Sequence, residues 1–235
     1  MLPKQPSIVG AVADSDTLAA LPELGKTTDL CDFIEFRIDA LLEQESLLEQ
    51  RIAGLNKPLV ITVRDPTEGG LNDLSANERS KRMLQFLPHT SILDIEIRNL
   101  PAFQSVTTAA QGNSISVLGS YHDFEATPSR EALLAAIDRG RQAGADAIKI
   151  AVTTRNSVDL HTLLTVFEEQ SPLGPMCIMG MGPLGMSSRV LFAECGSLLT
   201  YTYLKHANAP GQWSAMQMRT LFNDLEILRS TPPDS

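Results

Sequence analysis

Lys149 lies in the run Ala147-Ile148-Lys149-Ile150-Ala151-Val152, and its chemistry depends on where that run puts its amine. In an extended chain Ile148, Ile150 and Val152 share one face, and Lys149 shares the other with Ala147 and Ala151. The two alanines leave room around a long side chain. Desolvation disfavours an ammonium and enlarges the neutral fraction of an amine, the form that attacks a carbonyl carbon to give a Schiff base. A buried lysine also fits a structural role, paired with Glu35 or Glu96. His122 is the second candidate, in Gly119-Ser120-Tyr121-His122-Asp123-Phe124. Imidazole titrates near working pH, so one histidine can take a proton and later return it.

These two groups need a scaffold that brings separate stretches of chain to one place. Hydrophobic runs alternate with amphipathic segments throughout, and eight read as strands: 7–13, 33–39, 58–65, 91–97, 115–122, 147–153, 175–181 and 198–204. Between them lie helical patterns such as 129–143, where Leu133, Leu134, Ala136 and Ile137 form an inner face. That segment follows Thr127-Pro128-Ser129 and ends near Gly144. Eight strand–helix units in a chain of 235 residues, without adjacent hairpin signals, favour an α/β fold of the closed (β/α)8 TIM barrel type over an open doubly wound sheet. A single catalytic domain over 1–235 is expected, with a disordered tail at about 230–235.

Alternation then places charges inside the barrel. In 33–39, Ile34, Phe36 and Ile38 face the helices, while Glu35, Arg37 and Asp39 face inward. Strand 58–65 sets Ile61 and Val63 against Thr62 and Arg64, and 91–97 sets Leu93, Ile95 and Ile97 against Asp94 and Glu96. Ionisable groups inside a barrel must pair or serve chemistry. Asp39 and Asp94 suit an ion-pair network as well as a site. Residues near the C-terminal strand ends, where barrel active sites lie, read as functional.

Two loops complete the candidate set. Met179-Gly180-Met181-Gly182-Pro183-Leu184-Gly185 precedes a helix carrying Arg189, and its glycines fit a backbone phosphate cradle only weakly, with no P-loop or dinucleotide pattern. Met179 and Met181 suit a core equally well. Ala209-Pro210-Gly211-Gln212, after the last strand, reads as a turn or as a loop that closes over a ligand.

Composition narrows the classes. A net charge of −9 argues against nucleic acid or an anionic membrane as partner. No apolar run approaches the ~20 residues of a membrane span, and the N-terminus lacks a secretory pattern, so a cytoplasmic location is expected. Cys31, Cys177 and Cys195 form no close-spaced pair and read as reduced thiols. His89, His161 and His206 lack context and are expected to face solvent. No metal and no cofactor are expected.

The stretches Glu35-Phe36-Arg37-Ile38-Asp39, Thr62-Val63-Arg64 with Glu68-Gly69-Gly70, Asp94-Ile95-Glu96, Ser120-Tyr121-His122-Asp123-Phe124 and Lys149-Ile150-Ala151 occur in this order. With Gly185-Met186-Ser187-Ser188-Arg189 and Ala209-Pro210-Gly211-Gln212, the chain resembles type I 3-dehydroquinate dehydratase over nearly its whole length. That resemblance implies a Schiff-base hydro-lyase of the shikimate pathway, acting on 3-dehydroquinate by syn-elimination of water. It implies Lys149 as the imine-forming residue, His122 as the proton-transfer residue and Glu68 as the carboxylate that orients it. Arg189 would hold the substrate carboxylate, and Glu35, Arg37 and Arg64 would surround its hydroxyls. Met179, Met181 and Gln212 would be pocket and lid positions. Asn208 departs from the serine the family often carries, though asparagine still donates a hydrogen bond. A homodimer is also implied, and because the chain ends soon after the dehydratase region no fused shikimate dehydrogenase is expected. Another class I Schiff-base lyase or aldolase, or a non-catalytic ligand-binding barrel, are the competing readings.

Overall fold

The structure, a computed structural model, describes residues 1–227. Eight strands form one parallel sheet: β1 (Ser7–Val12), β2 (Phe33–Arg37), β3 (Leu59–Thr62), β4 (Ile92–Glu96), β5 (Ser116–Asp123), β6 (Ala147–Thr153), β7 (Met176–Met181) and β8 (Leu199–Tyr203). Each strand pairs with its sequence neighbour, and β1 also pairs with β8. The remaining gap is bridged where the Leu198 amide donates to the Met176 carbonyl at 3.0 Å. The result is the expected (β/α)8 barrel. The tail at 230–235 lies outside the described residues. Among those residues, no helix is long and apolar enough to cross a membrane.

The strands alternate as the sequence requires. Ile34, Phe36, Ile61, Leu93, Ile95, Ile148, Ile150 and Val152 point outward and are buried beneath the helices. Inside, Val9, Phe33, Val60, Ile92, Leu118, Ala147, Cys177 and Leu199 pack at the N-terminal half of the strands. Branched side chains close the barrel floor, so any cavity must open at the opposite end.

Strand ends differ from expectation by one to three residues. The stretch 33–39 leaves the sheet at Arg37 and continues as a 3₁₀ turn, Ile38–Ala40. The stretch 58–65 is a strand only over Leu59–Thr62. Arg64 and Asp39 therefore sit just above the sheet, at the mouth. The helix expected at 129–143 runs Arg130–Gln142, with the Ser129 hydroxyl accepting from the Ala132 amide. Its buried residues are Leu133, Ala136, Ile137 and Gly140, and Gly144 ends it in the left-handed region.

Candidate active site

Above the apolar floor lies a layer of charge. Asp94 is fully buried and accepts from three groups: Lys149 Nζ at 2.9 Å, Arg64 Nη2 at 2.9 Å and the Ser120 hydroxyl at 2.6 Å. Burial alone would raise its carboxyl, but Arg64 and Lys149 outweigh it and hold Asp94 well below the usual carboxylate range. Arg64 Nη1 also reaches Glu96 Oε1 at 2.8 Å, and Arg79 pairs with Glu96 and Asp65 from outside. Glu35 accepts from the Thr62 hydroxyl at 2.7 Å.

The charged partner of Lys149 is therefore Asp94, not Glu35 or Glu96. Pairing, one of the two readings its strand left open, holds in the free protein, but with a different carboxylate. Its second neighbour was also not expected: the Tyr201 ring of β8, whose centroid lies 4.0 Å from Nζ. A cation over an aromatic face is favourable, most of all away from water.

His122, on the neighbouring strand β5, faces the same space. Its Nδ1 lies 3.1 Å from Glu68 Oε2, and its backbone amide donates to that oxygen at 3.0 Å. Nε2 has no hydrogen-bond partner among the described residues. A carboxylate on Nδ1 selects the Nδ1–H tautomer and leaves the Nε2 lone pair free. Burial first, then the cations of Arg64 and Lys149, push the imidazole well below its ordinary value. Titration near working pH, the sequence expectation, is thereby corrected. His122 is a neutral base, and once protonated it is a strong acid. Burial and the Glu96 carboxylate raise Glu68 to about 7.

The loop after β3 builds this pair. Asp65 caps the short turn Pro66–Glu68, accepting from the Thr67 amide at 2.8 Å. Gly69 follows at φ +87°, and a Cβ on Gly70 would lie 2.5 Å from the Arg64 carbonyl oxygen. Only glycines return the chain here at this closeness. Arg37 fixes the loop by donating to the Gly69 carbonyl at 2.9 Å while gripping Asp39 through Nε (3.0 Å) and Nη2 (2.8 Å). Asp39 accepts further from the amides of Arg64 and Leu71. Of its two open readings, the structural one describes Asp39.

Arg189 differs from the other buried cations. It is 3% exposed, and its partners are carbonyl oxygens: Gly180 at 2.8 Å and Tyr201 at 3.3 Å. No ion pair to it occurs among the described residues. Burial lowers it to about 10, so it remains charged at neutral pH. A buried guanidinium without a counter-charge is an anion site.

Every site residue that the family resemblance implies lines one cavity of about 280 Å³ at the C-terminal strand ends, and Asp39 and Asp94 lie outside its lining. Lys149, His122, Glu68 and Arg189 stand in its walls, with Glu35, Arg37 and Arg64. Met179 and Met181 supply apolar surface from β7, and Asn208 and Gln212 reach it from the last loop. Gln212 Oε1 accepts from the amides of Asn208 (2.7 Å) and Ala209 (3.1 Å), so it also shapes that loop. The glycine run after β7 packs against the loop rather than cradling an anion. The Gly182 amide donates to the Pro210 carbonyl, and Gly185 meets Gly211 backbone to backbone. Phe124 and Tyr201 also line the cavity and were not singled out from the sequence. For Tyr201 the available signal was its inward position in a strand of alternating small and large residues. His89, His161 and His206 are exposed.

Comparison with known proteins agrees with this geometry. The sequence model of type I 3-dehydroquinase matches residues 10–229. The chain is 34% identical over 227 residues to a 3-dehydroquinate dehydratase of Thermodesulfovibrio yellowstonii, covering 94% of this chain and 96% of that one. It is 35% identical over 214 residues to a catabolic 3-dehydroquinate dehydratase of Acinetobacter baylyi, covering 86% and 77%. The crystal structure of 3-dehydroquinate dehydratase from Geobacillus kaustophilus superposes with a TM-score of 0.85 at 25% identity, covering 97% of this chain and 93% of that one. A type I enzyme from Clostridium difficile, crystallised with covalent modified comenic acid, gives 0.83 at 25% identity, covering 97% and 94%.

Proposed function

The chain belongs to the type I 3-dehydroquinase family and is a hydro-lyase, and we propose that it removes water from 3-dehydroquinate through an imine on Lys149, giving 3-dehydroshikimate. The observation that carries this reading is the shared cavity: Lys149 Nζ and the free Nε2 of His122 face one space, with Arg189 in its wall. The covalently modified ligand of the Clostridium difficile enzyme is in keeping with it.

The steps balance without an added reagent. The Lys149 amine adds to the C3 ketone, and loss of one water leaves an iminium. The positive nitrogen draws electrons from C2, so Nε2 of His122 removes a C2 proton and an enamine forms. Glu68 steadies the resulting imidazolium from Nδ1. The imidazolium then gives its proton to the C1 hydroxyl as that group leaves, and the iminium re-forms, now conjugated. Water adds to it and frees the amine. Arg189 receives the substrate carboxylate as a planar, two-pronged donor. Glu35, Arg37 and Arg64 surround the ring hydroxyls, with Met179, Met181, Asn208 and Gln212 closing the space around them. A homodimer and a cytoplasmic, shikimate-pathway role belong to the same proposal and rest on the family resemblance.

Borohydride reduction tests it. Substrate plus borohydride should add mass at Lys149, and Lys149→Ala should remove the adduct. His122→Ala should retain the adduct while turnover falls ~10²–10⁴-fold. An adduct on another residue, or none, would refute the mechanism.

A further inference from the structure

Among the described residues, one buried side-chain nitrogen or oxygen lacks a hydrogen-bond partner: the hydroxyl of Tyr201. Its surroundings make this notable. On the inner strand faces, Thr62 donates to Glu35, Ser120 to Asp94 and Lys149 to Asp94, while Thr202, on the outer face of β8, donates to the Val9 carbonyl. Phenylalanine would fill the same ring volume and rest equally well beneath Lys149 without burying an unpaired donor.

Position suggests what the oxygen is for. The Tyr201 ring lines the cavity, 4.0 Å from the amine that takes the substrate. β1 separates β8 from β2, and its cavity-facing residues are Ala11, with Ala13 just beyond the strand. These small side chains place no polar group between Tyr201 and Glu35. Glu35 uses Oε1 for Thr62, and its Oε2 accepts no hydrogen bond among the described residues. Burial, then the carboxylates of Glu35 and Asp94, raise the phenol well above its ordinary value, so it stays a donor.

We propose that Tyr201 is a specificity-determining residue whose hydroxyl donates to a ring hydroxyl of the ligand held at Lys149, on the side where Glu35 Oε2 accepts from the same group. A ligand hydroxyl satisfies both, since it gives one hydrogen bond and takes another. Attachment of the substrate draws Nζ away from Asp94 and off the Tyr201 ring, which opens the layer to that contact. The sector thus selects a polyhydroxylated ring over a simple keto acid. This inference rests on the proposed function and extends it.

Tyr201→Phe tests it, assayed with 3-dehydroquinate and with its 4-deoxy and 5-deoxy analogues. KM for 3-dehydroquinate should rise roughly tenfold, the worth of one hydrogen bond. For the analogue that lacks the contacted hydroxyl, wild type and variant should have the same KM. The Tm should not fall, because the oxygen removed has no hydrogen-bond partner among the described residues. An unchanged KM for 3-dehydroquinate, or equal losses on all three compounds, would overturn the assignment. If the wild-type chain neither turns over 3-dehydroquinate nor forms a borohydride adduct, the functional reading fails instead, and this one with it.

Discussion

Lys149 Nζ and the Asp94 carboxylate meet at 2.9 Å inside the barrel, so the proposed nucleophile is also part of the ionic layer that holds the strands. Asp94 serves two cations, because Arg64 lies 2.9 Å from its other oxygen. Removing it strands both. Asp94→Ala should cost about 3–5 kcal/mol and lower Tm by roughly 10 °C. Lys149→Met should cost less, since Asp94 keeps Arg64 and Ser120. Thermal unfolding of the two variants decides this, and equal losses would show that the pairs do not act as a shared network.

Glu68 sets the pH dependence. It titrates at about 7, above its ordinary 4.5, because burial and Glu96 disfavour its charge. Between those values the folded chain holds a proton that the unfolded chain has released. Stability from this group is therefore full below about pH 4.5 and is lost as pH rises through 7. Activity runs the other way. Protonated Glu68 donates to Nδ1, which moves the imidazole proton to Nε2 and removes the base. The kcat/KM profile should rise through a limb near pH 7, and Glu68→Gln should abolish that limb and flatten the stability slope between pH 4.5 and 7. A limb that survives in Glu68→Gln would assign it to another group.

Arg189 makes a separable prediction, since its buried charge lacks an acidic partner among the described residues. Arg189→Met removes the anion site but leaves Lys149, His122 and Glu68 in place. KM should rise roughly 10- to 100-fold, as expected for charged hydrogen bonds, with a smaller change in kcat. Inhibition by simple carboxylates such as benzoate should weaken in parallel. An unaltered KM would mean that the substrate carboxylate sits elsewhere.

The sequence discloses what depends on alternation and little that depends on partners across the barrel. Outward Ile34 and Phe36 with inward Glu35 follow from period two alone, which also told that charges enter the barrel. That Lys149 chooses Asp94 over Glu96 does not, because strand stagger and the tilt of the barrel decide which inner residues meet. His122 shows the same limit. Its place at a strand end was legible, but the depression of its pKa comes from burial and from Arg64 and Lys149 on other strands. Tyr201 escaped notice because its inward position in β8 was its one local signal, and nothing in the sequence says that it meets Lys149 across the barrel. The cavity wall near Gly185 and Gly211 likewise joins loops that are far apart in sequence.

That wall gives the last prediction. Gly211 holds φ +77°, and a Cβ there would lie 2.7 Å from the Gly185 Cα and 2.8 Å from the Gly182 carbonyl oxygen. These neighbours are backbone and cannot rotate aside, so Gly211→Ala must lift the loop from its seat. The seat is held by the bond from the Gly182 amide to Pro210 and by Trp213 Nε1 donating to the Met186 carbonyl at 2.9 Å. Lifting it carries Asn208 and Gln212 away from the cavity while the charged layer on β4, β5 and β6 stays intact. KM should therefore rise on the order of tenfold, with borohydride still labelling Lys149 at saturating substrate and stability falling only by the ~1–3 kcal/mol of a strained turn. Gln212→Ala, which leaves the backbone seat and removes one side chain of the cavity wall with the bonds it accepts from the Asn208 and Ala209 amides, should cause a smaller rise. Steady-state kinetics on both variants checks the order, and a Gly211→Ala enzyme with wild-type KM would show that the loop does not bear on the ligand.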